Sequence, residues 1–244
     1  QGTFVATAGM VNERYGHAVT LLANGKVLIT GGDTRSKTQN SAEIYDPVTM
    51  TFSSTNSMVE ARSYHTATLL PNGQVLVTGG HKLTGSYVAS AELFDPLTET
   101  FSRTADLVVA RGYHTATLLP DGRVFIAGGG GGATGYLASA EIYDVDTAAF
   151  TATKDMYFEH AMHTATLLPN GHVLVSGGIG AYSGSEIYKP QEGTFTNTDY
   201  LNSARFLHTA TLLPTGKVLM VAGISMAFKP QTTVERYVSL GSFF

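Results

Sequence analysis

Residues 65–80, His-Thr-Ala-Thr-Leu-Leu-Pro-Asn-Gly-Gln-Val-Leu-Val-Thr-Gly-Gly, carry the pattern from which the fold is read. Alternating polar and apolar residues run into Asn72-Gly73, and the chain leaves that pair as the apolar run Val75–Thr78. Asn-Gly is the strongest short hairpin signal, because a two-residue turn needs φ > 0 at both central positions. The flanking segments are therefore predicted to pair as antiparallel strands. The unbroken apolar character of the second predicts burial on both faces, and the closing glycines mark a sharp turn or a close backbone approach.

Working outward, the stretch recurs. Its histidine returns as His17, His65, His114, His163 and His208, at spacings of 48, 49, 49 and 45 residues. A glycine pair follows each: Gly31-Gly32, Gly79-Gly80, Gly128-Gly129, Gly177-Gly178 and, with the first glycine lost, Ala222-Gly223. Then come Glu43, Glu92, Glu141, Glu186 and Glu235, an aromatic two residues on, and Phe52, Phe101, Phe150, Phe195 and Phe244. Each copy reads as four short strands with no helical period. Repeats of this length built from four antiparallel strands predict the blades of an all-β, five-bladed propeller.

The arginine ahead of the first strand, the glycine pair closing the second, the Glu-x-aromatic third strand and the terminal aromatic resemble the kelch repeat, in the form found in secreted bacterial proteins. The resemblance covers essentially the whole chain and implies a propeller; it leaves function open, because this fold carries many activities. Kelch propellers more usually have six or seven blades. The repeats fall at about 4–51, 52–100, 101–149, 150–194 and 195–244, which reads as one propeller domain over 1–244. Thr3-Phe4-Val5-Ala6-Thr7 matches the fourth-strand segments in register and is expected to close the ring as the outer strand of the last blade.

Composition narrows the chemistry. The 244 residues contain no cysteine, which excludes disulfides, thiol nucleophiles and Cys-ligated metals. It also removes the Tyr–Cys crosslink on which the copper chemistry of the kelch enzyme galactose oxidase depends. A net charge of −4 without a basic run predicts no nucleic-acid partner, and no apolar run approaches the roughly 20 residues of a membrane-spanning helix. Low charge with abundant Thr, Ser, Gly and Asn suggests an extracellular or cell-surface protein. No cofactor is implied.

The repeated His and Glu read as hydrogen-bonding groups that tie strands or blades together, since equivalent residues of a five-fold ring do not converge on one metal ion. Arg14, Arg62, Arg111 and Arg205, with His160 in the fourth copy, have two readings: a ring that clamps a ligand carboxylate, or groups that pair with the repeat Glu or with carbonyls to fasten blades. Sequence variation concentrates in the loops after the glycine pairs. These loops and the inter-blade loops are expected on one face, where Tyr64, Tyr87, Tyr113, Tyr136, Tyr182 and Phe228 join the arginines as candidate ligand-binding residues. No catalytic residue is nominated. The sequence favours a non-catalytic module that binds a protein, peptide or glycan, ahead of a self-assembling extracellular component and of a hydrolase with an axial site.

Overall fold

The computed structural model describes residues 2–131 and 135–238. The fold is a five-bladed β-propeller of small antiparallel sheets, and no helix occurs among the described residues. The chain divides into two compact units, Gln1–Gly112 and Tyr113–Phe244.

The first unit holds two blades. The first is Ala18–Leu21, Val27–Thr30, Ala42–Asp46 and Thr51–Ser54; the second is Thr66–Leu69, Val75–Thr78, Ala91–Asp95 and Thr100–Arg103. The second unit holds Thr115–Leu118, Val124–Ala127, Ala140–Asp144 and Ala149–Ala152, then Thr164–Leu167, Val173–Ser176, Ser185–Lys189 and Thr194–Asn197. Its last blade has Thr209–Leu212, Val218–Val221 and Val234–Tyr237.

Second strands are interior in every blade sheet, and in the second to fourth blades all four of their residues are buried. Blades pack through these strands. Leu28, Ala42 and Ile44 of the first blade meet Val75, Val77 and Phe94 of the second, and Phe125 of the third stacks on Tyr188 of the fourth at 4.1 Å and 7°. Such burial stabilises each blade by about 25 cal/mol per Å² of apolar surface removed from water.

The hairpins stand where Asn-Gly and Asp-Gly predict them, with a different turn. Leu22 N donates to Lys26 O (2.8 Å) and Gly25 N to Leu22 O (3.0 Å), and Gly25, not Asn24, has positive φ, at 82°. This is the longer loop in which a type I turn precedes a left-handed glycine. Asn24 instead accepts from Lys26 N through its side chain, at 3.0 Å.

The glycine pairs have a specific cause. The second glycine donates to the carbonyl of the following blade's Arg or His: Gly32 to Arg62 (2.9 Å), Gly129 to His160 (2.7 Å) and Gly178 to Arg205 (2.8 Å). That same carbonyl occupies the space a Cβ on the first glycine would need, as Arg62 O does against Gly31, whose φ is +58°. A side chain is excluded twice over, by the neighbouring backbone and by the left-handed conformation.

The closing strand is corrected. Residues 2–10 form no strand, Phe4 and Val5 are fully or nearly fully exposed, and the last sheet has three strands among the described residues. Thr7 instead bonds to the first blade: its Oγ1 donates to Met50 O at 2.9 Å and lies 3.2 Å from the Tyr45 hydroxyl. Phe244 lies outside the described residues.

Candidate functional site

The inter-blade loops and the loops after the glycine pairs meet on one side of each blade. Short antiparallel bridges join Tyr15 to Asp33, Ser63 to His81 and Phe206 to Ile224, and His160–Ala161 pairs with Ile179–Gly180. Beneath them lies a polar frame repeated from blade to blade. Arg62 Nη1 donates to Gly79 O (2.6 Å) and Ser90 O (2.7 Å), and its Nη2 donates to Ser90 Oγ (2.9 Å) and Glu92 Oε1 (2.8 Å). Glu92 also accepts from Val59 N (2.7 Å) and Glu60 N (3.0 Å), so it holds the incoming loop as well as the guanidinium. Arg14 with Glu43 and Arg205 with Glu235 repeat the arrangement, at 2.5 and 2.6 Å.

The carboxylate-clamp reading of the arginine ring is thereby corrected. Arg14, Arg62, Arg111 and Arg205 are all buried, and Arg14, Arg62 and Arg205 direct their guanidinium groups at Glu side chains and carbonyls inside the blade. They shape the loops from below. Burial alone would raise Glu43 and Glu235, but hydrogen bonds from Arg14 with Val11 and Asn12, and from Asn202, Arg205 and Ser203, hold both carboxyls below their ordinary range.

His160 is a matched replacement. Its Nδ1 lies 2.7 Å from Gly177 O and its Nε2 3.0 Å from Glu186 Oε1, the same two partners that the arginines take in other blades. The serine or threonine that accepts from arginine in the first, second and fifth blades is here Gly184, and the Phe158 ring lies 2.9 Å from where a Cβ on Gly184 would stand. The departure from the repeat is therefore packing compensation: a shorter basic side chain, a missing hydroxyl and an aromatic that fills the space.

The strand-one histidines tie blades together. His65, His163 and His208 place Nε2 2.8, 2.9 and 3.0 Å from Thr30, Thr115 and Thr164 of the preceding blade. Burial, then the charge of Arg205, lowers His208 to about 4, and burial with Arg14 lowers His17.

The residue before each of these histidines is left-handed: Gly16 (64°), Tyr64 (50°), Tyr113 (58°), Met162 (55°) and Leu207 (53°). Sequence reasoning missed this, since only Gly16 signals positive φ. A backbone ladder compensates the strain, with Tyr64 N donating to Gly16 O (2.7 Å), Met162 N to Tyr113 O (3.1 Å) and Leu207 N to Met162 O (2.9 Å). The ladder aligns the side chains at these positions within each unit.

The other candidate aromatics divide. Tyr182 and Phe228 are exposed, both at left-handed backbone, and Phe228 meets Phe206 edge-on at 5.8 Å. Tyr64, Tyr87, Tyr113 and Tyr136 are half-buried, with the Tyr87 ring 5.2 Å from His81 and Tyr136 paired with Gly130. A cavity of about 680 Å³ beside the last blade is lined by Ile187, Asn197, Met220, Arg236 and Tyr237 and by Tyr200 of the inter-blade loop.

Residues 14–59 match the Kelch motif. The fold is similar to that of the solved structure of YjhT, with a TM-score of 0.75 and 13% identity over 95% of this chain and 84% of that one. No curated protein sequence matches.

Proposed function

We propose that this chain, a kelch-repeat β-propeller, is a non-catalytic interaction scaffold that recognises a protein, peptide or glycan through its post-glycine and inter-blade loops. One observation carries the reading. In the first, second, fourth and fifth blades the loop pair is fixed from below by a buried Arg or His with its Glu, while the residues above differ from blade to blade and include exposed Tyr15, Tyr182, Met226 and Phe228. A rigid frame under variable aromatics suits recognition, because little side-chain freedom is lost on binding. The regularly placed carboxylates support the non-catalytic part: Glu43, Glu92, Glu186 and Glu235 are each taken up by a basic group and by backbone N–H donors.

Arrays of peptides and glycans probed with the whole chain test the proposal. Tyr15→Ala and Phe228→Ala are expected to weaken a positive signal at least tenfold, and Val48→Ser, on an exposed outer turn, to leave it unchanged. A silent array, or binding sensitive only to Val48, would refute it.

A second reading, a component that assembles with its own copies, is favoured by the first blade. Val19 and Leu21 are 57% and 64% exposed, whereas Ala67 and Leu69, at the same positions of the second blade, pack on the first.

A further inference from the structure

In the last blade Val234–Tyr237 pairs with Val218–Val221 on one side, and its other edge carries no strand among the described residues. The cavity of about 680 Å³ follows that edge, with the consecutive residues Glu235, Arg236, Tyr237 and Val238 in its lining beside Ile187 and Met220. An unpaired edge presents a row of backbone N–H and C=O groups that templates another strand.

The first four blades display what such an edge receives. Each outer strand carries a Phe followed three residues on by Thr: Phe52 and Thr55, Phe101 and Thr104, Phe150 and Thr153, Phe195 and Thr198. Each Phe stands opposite the third-strand aromatic, Tyr45, Phe94, Tyr143 or Tyr188, with ring centroids 4.9, 4.8, 4.7 and 4.9 Å apart. Tyr237 holds the same place in the last blade and has no ring partner among the described residues.

One segment of the chain has the pattern without the pairing. Thr3-Phe4-Val5-Ala6-Thr7 repeats Phe-x-x-Thr, yet residues 2–10 form no strand, and Phe4 and Val5 are 111% and 81% exposed. Thr7 ties the segment to its own first blade at Met50 and Tyr45, and the four residues Thr3 to Ala6 precede that tie as an arm. Four residues is the length of the outer strand in the other blades.

We propose that Thr3 to Ala6 of one copy add to the free edge of Val234–Tyr237 in a second copy, as the outer strand of that copy's last blade. The repeat sets the register: Val238 opposite Thr3, Tyr237 opposite Phe4, Arg236 opposite Val5 and Glu235 opposite Ala6. Asp95, Phe94, Leu93 and Glu92 stand in the same way opposite Thr100, Phe101, Ser102 and Arg103. Phe4 enters the cavity against Tyr237; main-chain hydrogen bonds supply affinity and the aromatic supplies specificity. The contact runs from arm to edge, so two copies exchange arms reciprocally or several join in a chain. This joint rests on the self-assembly reading and names the residues that would make it.

The chain has no cysteine, so disulfide trapping reads the joint directly. Val5→Cys and Arg236→Cys, both at exposed positions, are made in separate chains, mixed and oxidised. A covalent dimer holding one of each is expected, at a yield at least tenfold above that of Val5→Cys mixed with Leu97→Cys, an exposed turn position that reports random collision. Adding Phe4→Asp to the Val5→Cys chain should lower the yield at least tenfold, and Phe4→Asp alone should shift the whole chain towards monomer in sedimentation. A yield no better than the collision control, indifference to Phe4→Asp, or a doubly substituted chain that closes on itself and forms no bond between copies would each overturn the exchange. Its failure is distinct from failure of self-assembly. Copies that assemble equally well with Phe4→Asp keep self-assembly and remove this joint, whereas a chain that is monomeric at every concentration removes self-assembly itself.

Discussion

Replacing Arg62 by methionine is expected to remove about 3–5 kcal/mol of folding stability, the usual loss when one member of a buried ion pair is deleted. The side chains of Arg62 and Glu92 are both 0% exposed, and the substitution leaves the Glu92 carboxylate in the blade with only the Val59 and Glu60 amides. It also strands the carbonyl of Gly79, costing about 1–3 kcal/mol if water does not replace the guanidinium, while Ser90 O keeps only the Gly79 amide at 3.3 Å. Methionine keeps most of the volume, so the loss reports polar chemistry more than a cavity. For a chain of this length the midpoint should fall by roughly 6–20 °C, at about 2–4 °C per kcal/mol. Thermal melts followed by circular dichroism measure the midpoint, and urea unfolding measures the free energy. A double variant with Glu92→Leu should lose less than the sum of the two single variants, by at least about 1 kcal/mol of coupling. A single-variant loss below about 1 kcal/mol, the value of an exposed pair, would refute the buried frame.

Three further outcomes are expected. His160→Arg should destabilise by about 1–3 kcal/mol because Phe158 crowds the longer side chain, and Phe158→Ser in the same chain should recover most of the loss in thermal melts. His208 is held at about 4 against an ordinary 6.5, so the unfolded chain binds its proton first on acidification. Its contribution, roughly 3 kcal/mol, is present above pH 6.5 and is lost as pH falls towards 4; His208→Gln should flatten unfolding free energy against pH in that window. Ala222 has φ +57°, where glycine is relaxed, so Ala222→Gly should raise stability by about 1 kcal/mol in denaturant titrations.

The fold was legible because each signal was local and repeated: an Asn-Gly pair between two short strands, an apolar second strand, a glycine pair. The turn type was not, since Asn-Gly suits both a two-residue turn and the longer loop ending at Gly25. The arginines were visible but ambiguous. Arg62 and Glu92 are 30 residues apart, and only folding shows that the guanidinium turns inward. The end of the ring was misread because Phe4–Thr7 carries the outer-strand pattern, and pattern does not specify a partner; Thr7 finds one in Tyr45 and Met50. Asp33 shares its variable loop with Arg35 and Lys37, and its burial with Oδ1 unpartnered depends on packing that no spacing encodes.

The glycine pair also makes the blades unequal as interchangeable parts. The first, third and fourth blades each offer a bare backbone to the carbonyl of the blade that follows, so duplicating the third or fourth between its neighbours would supply both halves of the joint. The fifth lacks that fitting. It carries Ala222 in place of the first glycine and exposed Arg236 where Ile44, Leu93, Ile142 and Ile187 stand in the others. A designer lengthening the array beyond that blade would have to install Ala222→Gly and Arg236→Ile before another module could seat.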